Sequence, residues 1–201
     1  MDIDIVSADA DDQGRLRLEA LRSLVQGLSQ SDRDRVFAVV ATSGTTNAGV
    51  IDPLAGAADV AAELGVWFHV DAAYGGAGLA APSVRARYAG IERADSLIID
   101  PHKWLFAPYD CCALVYRDPM QARAAHTQHA EYLDILHEVA DDWNPSDFAH
   151  HLTRRARGLP FWFSLSTYGT DRYAAAIERS LQTARQVADH IRASAHLELV
   201  V

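Results

Sequence analysis

The stretch DPLAGAADVAAELGVWFHVD, residues 52–71, contains a helical pattern that is followed at once by a strand pattern. Asp52 suits the N-cap of a helix and the proline after it suits the first helical position, so we predict a helix that ends at about Leu64. Gly65 is typical of a helix C-terminus, and residues 66–71 are a short apolar run of the kind that forms a strand. A helix that leads directly into a buried strand is the repeating unit of a parallel α/β sheet.

Similar apolar runs elsewhere in the chain extend this pattern. We predict further strands over residues 35–41, 96–100 and 112–116, and an amphipathic helix over residues 21–28. The run at 35–41 is nearly continuous in apolar residues, which is typical of a parallel strand buried on both faces. Because parallel strands are joined by right-handed crossovers, the predicted fold class is α/β, with a mostly parallel sheet flanked by helices.

The last part of the sequence changes in character. It predicts helices over residues 159–168 and 172–194 and a final strand over residues 197–201. We therefore assign residues 1–157 to part of a large domain and residues 158–201 to the beginning of a small C-terminal domain. The pattern starts almost at the first residue and breaks off within the final strand, so we expect an internal part of a longer chain.

Composition excludes several classes of protein. The 201 residues include 18 Lys and Arg against 27 Asp and Glu, which gives a net charge of −9. This charge argues against a nucleic-acid-binding protein, because such a protein needs a basic surface. No apolar stretch approaches the about 20 residues that span a bilayer, and the start lacks the pattern of a secretory signal. Cys111 and Cys112 are too few and too close for a disulfide framework, and we interpret them as buried packing residues. We expect a cytoplasmic protein that binds neither nucleic acid nor membrane.

Lysine usage is the most unusual feature of the composition. Lys103 is the single lysine, and the other 17 basic residues are arginine. Arginine cannot be deprotonated at ordinary pH, so it cannot act as an amine nucleophile. Lys103 is therefore a candidate for amine chemistry, and the alternative is a surface lysine retained by chance.

Two polar side chains follow the ends of neighbouring predicted strands. Asp71 ends one strand and Lys103 lies just beyond the next, and open α/β sheets bind ligands beyond the carboxyl ends of their strands. A carboxylate and a lone lysine there suit pyridoxal phosphate: the lysine forms the Schiff base and the acid pairs with the pyridinium nitrogen. The alternative is a structural Asp71–Lys103 ion pair, which we favour less because desolvating such a pair is costly.

Three motifs in order give a specific resemblance. The segments ATSGTT (41–46), HVDAAYG (69–75) and ADSLIIDPHKW (94–104) resemble the group II amino-acid decarboxylases that depend on pyridoxal phosphate, the family of aromatic-L-amino-acid decarboxylase. The resemblance covers essentially the whole chain as the middle part of a longer enzyme. It implies a fold-type I pyridoxal-phosphate-dependent transferase fold, the cofactor pyridoxal 5'-phosphate, and decarboxylation of a small-molecule L-amino acid to an amine and CO2.

The resemblance also implies roles for individual residues around the cofactor ring. Lys103 matches the Schiff-base lysine and Asp71 matches the partner of the pyridine nitrogen. Ala73 matches the alanine whose methyl group packs on the ring, and it also suits a tight turn. Thr46, which lies 25 residues before Asp71, matches a threonine that lines the ring site; the alternative is a turn hydroxyl.

Four further positions complete the implied site. His102 matches a catalytic histidine beside the lysine, near the cofactor phosphate, whereas a lone histidine is more often structural. His69 shares a strand face with Asp71, so it either orients that carboxylate or simply packs. Tyr132, 29 residues after Lys103, matches a tyrosine on a mobile loop that closes across the dimer interface and returns a proton to Cα, or else packs in a helix. Asp100 departs from the Asn common in the aromatic-amino-acid enzymes, so it either points away from the phosphate or the phosphate contacts differ.

Other clusters have weaker functional interpretations. His126 and His129 have the spacing of metal ligands, but no cysteine or nearby carboxylate completes a zinc site, so we predict no metal. Arg154, Arg155 and Arg157 form a basic cluster that binds carboxylates or stabilises subunit contacts rather than nucleic acid.

The leading hypothesis is therefore a decarboxylase that acts as a homodimer with its active site at the subunit interface. The alternatives are an aminotransferase or lyase of the same fold, or a truncated chain without turnover. Tyr132 discriminates between the first two, because an aminotransferase would use its lysine for proton transfer. The ring-stacking histidine and the small phosphate-binding residues of the family have no match in this chain, and the identity of the amino acid is left open.

Overall fold

The computed structural model describes residues 3–127 and 144–200, and a four-stranded sheet lies at its centre in the order β1-β2-β3-β4. The strands are β1 (Ala38–Thr42), β2 (Trp67–Asp71), β3 (Ser96–Ile99) and β4 (Ala113–Tyr116). The first three run parallel, and β4 pairs antiparallel with β3. This confirms the predicted α/β class with a mostly parallel sheet. The direction of β4 follows from its connection, which turns back at the edge where β3 ends instead of crossing over through a helix.

Helices surround and extend the sheet. The α-helices are α1 (Leu18–Gly27), α2 (Gln30–Arg33), α3 (Leu54–Leu64), α4 (Pro119–His126) and α5 (Gly158–Arg192). Short 3₁₀ helices are formed by Gly75–Ala80, Arg85–Tyr88, Ile91–Arg93 and Pro145–Phe148. The first of these follows β2 after only three residues. No helix among the described residues is both long and apolar enough to cross a membrane.

The main core lies between α3 and the sheet. Leu54 of α3 is buried there, together with Val39 of β1 and Phe68 and Val70 of β2. Small alanines fill the rest of this contact: Ala41, Ala57, Ala58, Ala61, Ala72 and Ala94. Val40 on the opposite face of β1 is 60% exposed, so the prediction that this strand is buried on both faces is wrong for the described residues. One face of β1 therefore carries the core.

The predicted end of α3 is confirmed, but its predicted N-cap is wrong. Gly65 ends the helix with a left-handed φ of 66°. Asp52 does not cap α3; its Oδ1 accepts a hydrogen bond from Leu16 N at 2.8 Å and its Oδ2 accepts one from Thr42 N at 2.7 Å. The carboxylate thus joins the N-terminal segment to the end of β1. Local pattern favoured capping, but two distant backbone donors compete successfully for the same oxygens.

We expect Asp52→Ala to lower the free energy of unfolding by about 2–4 kcal/mol, because it leaves two partly buried N–H groups without an acceptor. Urea denaturation followed by circular dichroism measures this loss. Asp59→Ala is the matched control, since Asp59 is exposed and its ion pair among the described residues is with the Arg93 side chain, and it should cost less than about 1 kcal/mol. Equal losses in both variants would contradict the role of Asp52.

The last part of the described chain is dominated by α5. Its two helical segments meet at Gly169, which has a φ of 75°, so the two predicted helices are confirmed. Ile177 of α5 is fully buried against Ala77 and Tyr88, which packs the second segment onto the sheet unit. Residues 197–200 form no strand, so that prediction is wrong; a strand needs a neighbouring strand, and the described residues provide none there. The domain boundary at 157/158 stays a prediction.

Candidate active site

Three loops leave the sheet at the same edge, where β1, β2 and β3 end. Thr42 and Ile98 are the register partners of Asp71 on either side, so Asp71 lies between the ends of two parallel neighbours. The loop after β3 then leads to Lys103. The strand order therefore brings Asp71 and the Lys103 loop to one edge, as the sequence predicted.

Glycines allow the first two loops to approach each other closely. Ser43 N donates to Asp71 O at 2.7 Å, and Gly44 follows with a left-handed φ of 96°. A Cβ on Gly44 would overlap the backbone of Gly75, and a Cβ on Gly75 would overlap the backbone of Ser43 and Gly44. The buried Tyr88 hydroxyl donates to Gly75 O at 2.6 Å and fixes the second loop. Only glycine at both positions permits this backbone contact.

The Asp71 carboxylate stands at the centre of this edge. Its residue is exposed, and Oδ1 accepts a hydrogen bond from Ala73 N at 3.1 Å. Ala73 O accepts in turn from Asp100 N at 3.0 Å, which joins the loops after β2 and β3. The rings of Tyr74 and Trp104 stack across the same two loops with their centroids 6.2 Å apart. Asp71 is therefore held by its own turn, and that turn is held against the lysine segment.

Lys103 is paired with the acid that precedes it in the same loop. Its Nζ lies 2.7 Å from Asp100 Oδ2, and the two side chains are 32% and 12% exposed. Among the described ion pairs Lys103 contacts Asp100 and not Asp71, so the structural Asp71–Lys103 pair considered from the sequence is not formed. The spacing of three residues between an acid and the single lysine is the signal that could have identified this contact.

Cys112 is the third member of this cluster. Burial raises the pKa of Asp100, but hydrogen bonds from Lys103 and from the Cys112 thiol, with the charge of Lys103, outweigh it and hold that pKa below its ordinary value. Burial and the neighbouring Asp100 carboxylate raise the pKa of Cys112 to about 11. Cys111 is buried as predicted, whereas Cys112 is exposed, which corrects the interpretation of both cysteines as buried. Cys112 is therefore a neutral thiol beside the Asp100 carboxylate.

His102 is fixed through the backbone of Cys111. Its Nδ1 lies within hydrogen-bond distance of the carbonyl oxygen of Cys111 and 3.1 Å from the Cys111 nitrogen. The edge of its ring meets Tyr109, with the centroids 5.0 Å apart. Nδ1 is thus occupied by the protein itself, which leaves Nε2 as the nitrogen that can contact a ligand.

His69 is held by β3 and not by Asp71. Its Nδ1 lies 2.8 Å from Ser96 Oγ, which also accepts a hydrogen bond from Trp67 Nε1 at 2.8 Å. Burial lowers the pKa of His69, although the charge of Asp71 partly opposes the shift, so the ring is neutral at pH 7. Of the two interpretations from the sequence, packing within the sheet describes these contacts, and the influence of Asp71 is electrostatic only.

Thr46 lies in the loop after β1 and is exposed. Its neighbour Thr45 closes this loop: Thr45 N donates to Val50 O at 3.0 Å, and Val50 N donates to Thr45 Oγ1 at 3.1 Å. Thr45 is therefore a structural residue. The motif contains both threonines, and the sequence alone did not show which of them closes the loop. Tyr132 lies outside the described residues, and so does His129.

The basic cluster binds an acid of its own chain. Arg155 and Arg157 contact the two carboxylate oxygens of Asp110 at 2.7 and 3.1 Å, and Arg154 donates to Pro145 O at 3.0 Å. This confirms carboxylate binding by two of the three arginines, within the subunit. It also ties the loop that follows Lys103 to the start of α5. Within residues 3–127 and 144–200, no group of three or more His, Cys, Asp or Glu side chains could hold a metal ion.

These side chains fit a cofactor with an aldehyde group and a basic ring nitrogen. The only amine among the side chains is partly exposed at the sheet edge, where an aldehyde carbon can reach it. The Asp71 carboxylate, which carries no ion pair among the described residues, is an acceptor for a protonated ring nitrogen. Fold and site thus define an α/β protein with a lysine-and-carboxylate site of the pyridoxal phosphate kind.

The chain belongs to the pyridoxal-dependent decarboxylase family. The sequence model of the pyridoxal-dependent decarboxylase conserved domain matches residues 1–201. An L-2,4-diaminobutyrate decarboxylase of Rhizobium meliloti is 40% identical over 96% of this chain and 38% of its own length. Tryptophan decarboxylase TDC1 of Camptotheca acuminata is 38% identical over 81% of this chain and 33% of its own length.

Solved structures give the same result for the fold. The crystal structure of Oryza sativa TDC with PLP and tryptamine superposes with a TM-score of 0.81 and 32% identity, over 90% of this chain and 37% of that chain. The predicted fold-type I architecture is therefore confirmed. The chain spans between a third and two fifths of the length of these relatives.

Proposed function

We propose that this chain is part of a longer enzyme that decarboxylates an L-amino acid to an amine and CO2 with pyridoxal 5'-phosphate. The observation that carries the proposal is the arrangement of Lys103 and Asp71 at neighbouring strand ends, in a chain that belongs to the pyridoxal-dependent decarboxylase family. The cofactor, when bound, supplies the electron sink that accepts the electron pair released with CO2.

Residues of this chain have distinct roles in the proposal. Lys103 holds the cofactor covalently through Nζ, and Asp71 keeps its ring nitrogen protonated. The hydrogen bond from Ala73 N orients the Asp71 carboxylate for that contact. Ala73 and Thr46 line the ring site. His102, whose Nδ1 is bound to Cys111, would offer its Nε2 to the phosphate of the cofactor.

His69 is the neighbour of Asp71 on the same strand face. A neutral His69 adds no positive charge that would compete with the ring nitrogen for Asp71. In this arrangement the full charge of the carboxylate is directed at the cofactor. His69 thus contributes by remaining uncharged.

The test uses the complete enzyme, loaded with pyridoxal phosphate and given a panel of L-amino acids. The names of the relatives include a tryptophan and a diaminobutyrate decarboxylase, so the panel contains aromatic, diamino and acidic members. Equal amounts of amine and CO2 support the proposal. Transfer of the amino group to a 2-oxo acid without CO2 would favour an aminotransferase, and a protein that forms no product with any member would favour a truncated, inactive chain.

Tyr132 provides the prediction that separates decarboxylation from amino-group transfer. It lies outside the described residues, and its role rests on its position 29 residues after Lys103. In the proposal its phenol delivers a proton to Cα after CO2 leaves. We expect Tyr132→Phe to release less than half as much amine per CO2, because the ring remains and the proton donor is lost. Amine and CO2 are quantified together, with Tyr168→Phe as the control for an exposed tyrosine. If Tyr132→Phe releases as much amine per CO2 as the unmodified enzyme does, and at the same rate, the role of Tyr132 is contradicted.

We also propose a cytoplasmic homodimer with the active site at the subunit interface, and a small C-terminal domain that begins at residue 158. The net charge of −9 and the pairing of Arg155 and Arg157 with Asp110 give no support to nucleic acid as a partner. Analytical ultracentrifugation of the complete enzyme tests the dimer, and a monomer with full activity would overturn it.

A further inference from the structure

Asp100 binds Lys103 in a way that the roles assigned above do not explain. Its Oδ2 lies 2.7 Å from Lys103 Nζ, its side chain is only 12% exposed, and its other oxygen, Oδ1, is buried with no hydrogen-bond partner among the described residues. Asp100 N is also bound to Ala73 O, so the backbone of this acid is fixed to the turn that carries Asp71. The carboxylate is therefore held in place through its backbone, while Lys103, at 32% exposed, is the more exposed partner.

A lysine that forms a bond to a cofactor must be released when a substrate amine takes its place. If the incoming amine enters as R–NH3⁺, a C=N bond forms to its nitrogen and the C=N bond to Nζ breaks. The three hydrogens of the incoming ammonium are then on Nζ, so the lysine leaves as an ammonium and the total charge is unchanged. An ammonium released in a partly buried loop is stabilised by a carboxylate within ion-pair distance.

We propose that Asp100 is a positioning residue that receives the Lys103 ammonium whenever the lysine is not bonded to the cofactor. The inference rests on the proposed function, because release of Lys103 requires that it be bonded to a cofactor. Asp100 thereby favours displacement of the lysine by the substrate amine.

The first experiment measures the free lysine in the cofactor-free complete enzyme. Trace labelling with acetic anhydride at pH 8, followed by mass spectrometry of the Lys103 peptide, gives the reactivity of Nζ. We expect Asp100→Asn to increase the labelling rate about twofold to fivefold, the range of a partly exposed ion pair. Asp110→Asn is the matched control, since Asp110 lies in the same loop but pairs with Arg155 and Arg157, and it should leave the rate unchanged.

Two further variants keep the inference testable if Asp100→Asn does not fold. Asp100→Ala also removes the carboxylate and should increase labelling of Lys103 about as much as Asp100→Asn. Asp100→Glu keeps a carboxylate and should increase labelling by a smaller factor. A role in packing alone would not distinguish glutamate from alanine in this way.

The second experiment measures displacement in the loaded complete enzyme. Methylamine, a primary amine with no carboxylate to lose, competes with Lys103, and borohydride trapping of the Lys103 peptide reports the fraction still bonded to the cofactor. We expect Asp100→Asn to increase the methylamine concentration that halves trapping by about twofold to fivefold. Asp110→Asn should leave that concentration unchanged.

The outcomes separate this inference from the proposed function. If Lys103 of the unmodified enzyme is not trapped at all, the proposed function is overturned and this inference with it. If Lys103 is trapped but neither its labelling nor its displacement changes in Asp100→Asn and Asp100→Ala, only the role of Asp100 is overturned.

Discussion

Lys103→Ala should lower decarboxylation in the complete enzyme by a factor on the order of 10⁴ or more, because it removes the only side-chain amine that this chain offers to the cofactor. Nζ stands at the sheet edge where three strands end, and no described neighbour can replace its chemistry. Steady-state kcat with the best substrate of the panel measures the loss. Borohydride reduction followed by peptide mapping should tag Lys103 in the unmodified enzyme.

Lys103→Arg separates the amine from the charge. Arginine retains a cation for Asp100 but offers no free amine at working pH, so its kcat should fall as far as that of Lys103→Ala. Arg93→Lys is the matched control, because it creates a second lysine beside an acid, Asp59, away from the site. Tagging at residue 93, or a Lys103→Arg variant that keeps its kcat, would show that Lys103 is not the reacting amine.

Much of the sheet could be predicted because each strand is a short run of apolar residues that is visible in the local sequence. The apolar runs gave β1, β2, β3 and β4 to within a few residues, and Gly65 marked the end of α3. Pairing with a neighbouring strand decides where each strand begins and ends. Ala38 is the first residue of β1 because it is the first residue with a register partner, Trp67. Such limits depend on a neighbouring strand and cannot be read from one segment alone.

Contacts between distant segments explain the failed predictions. Asp52 has the pattern of an N-cap, but its oxygens bind the nitrogens of Thr42 and Leu16, which are 10 and 36 residues away. Residues 197–200 have the composition of a strand but no partner among the described residues. A pattern of residue types states what a segment can form, and the available partners decide whether it does.

The candidate site was likewise predicted in part from local sequence and decided in part by contacts between its loops. The strand ends placed Asp71 and the Lys103 loop at one edge, because parallel strands bring their carboxyl ends together. The partner of Lys103 was harder to predict, since Asp71 and Asp100 are both acids at that edge. The loop geometry selects Asp100, three residues before the lysine, and leaves Asp71 available to a ligand. This division gives the two acids different tasks, one toward the lysine and the other toward the cofactor ring.

Asp71→Asn should therefore lower kcat by about 10²–10³ while borohydride still tags Lys103. Asparagine retains an oxygen that can accept from Ala73 N, so the turn after β2 is preserved, but the negative charge is lost. Without that charge the ring nitrogen of the cofactor holds its proton less tightly, and an unprotonated ring accepts electrons poorly. The measured kcat reports the loss of decarboxylation, and the yield of tagged Lys103 peptide reports whether the cofactor is still bonded to the lysine.

Asp59→Asn is the control for this variant, since it removes one negative charge from the exposed face of α3 and should change kcat less than twofold. Asp71→Glu tests geometry, because it keeps the charge but extends the side chain by one methylene beyond the position fixed by Ala73 N. We expect its kcat to lie between those of the unmodified enzyme and Asp71→Asn. A kcat of Asp71→Asn within threefold of the unmodified enzyme would show that the carboxylate does not act on the ring nitrogen. In that case Asp71 serves only to close the turn after β2, a task that asparagine performs equally well.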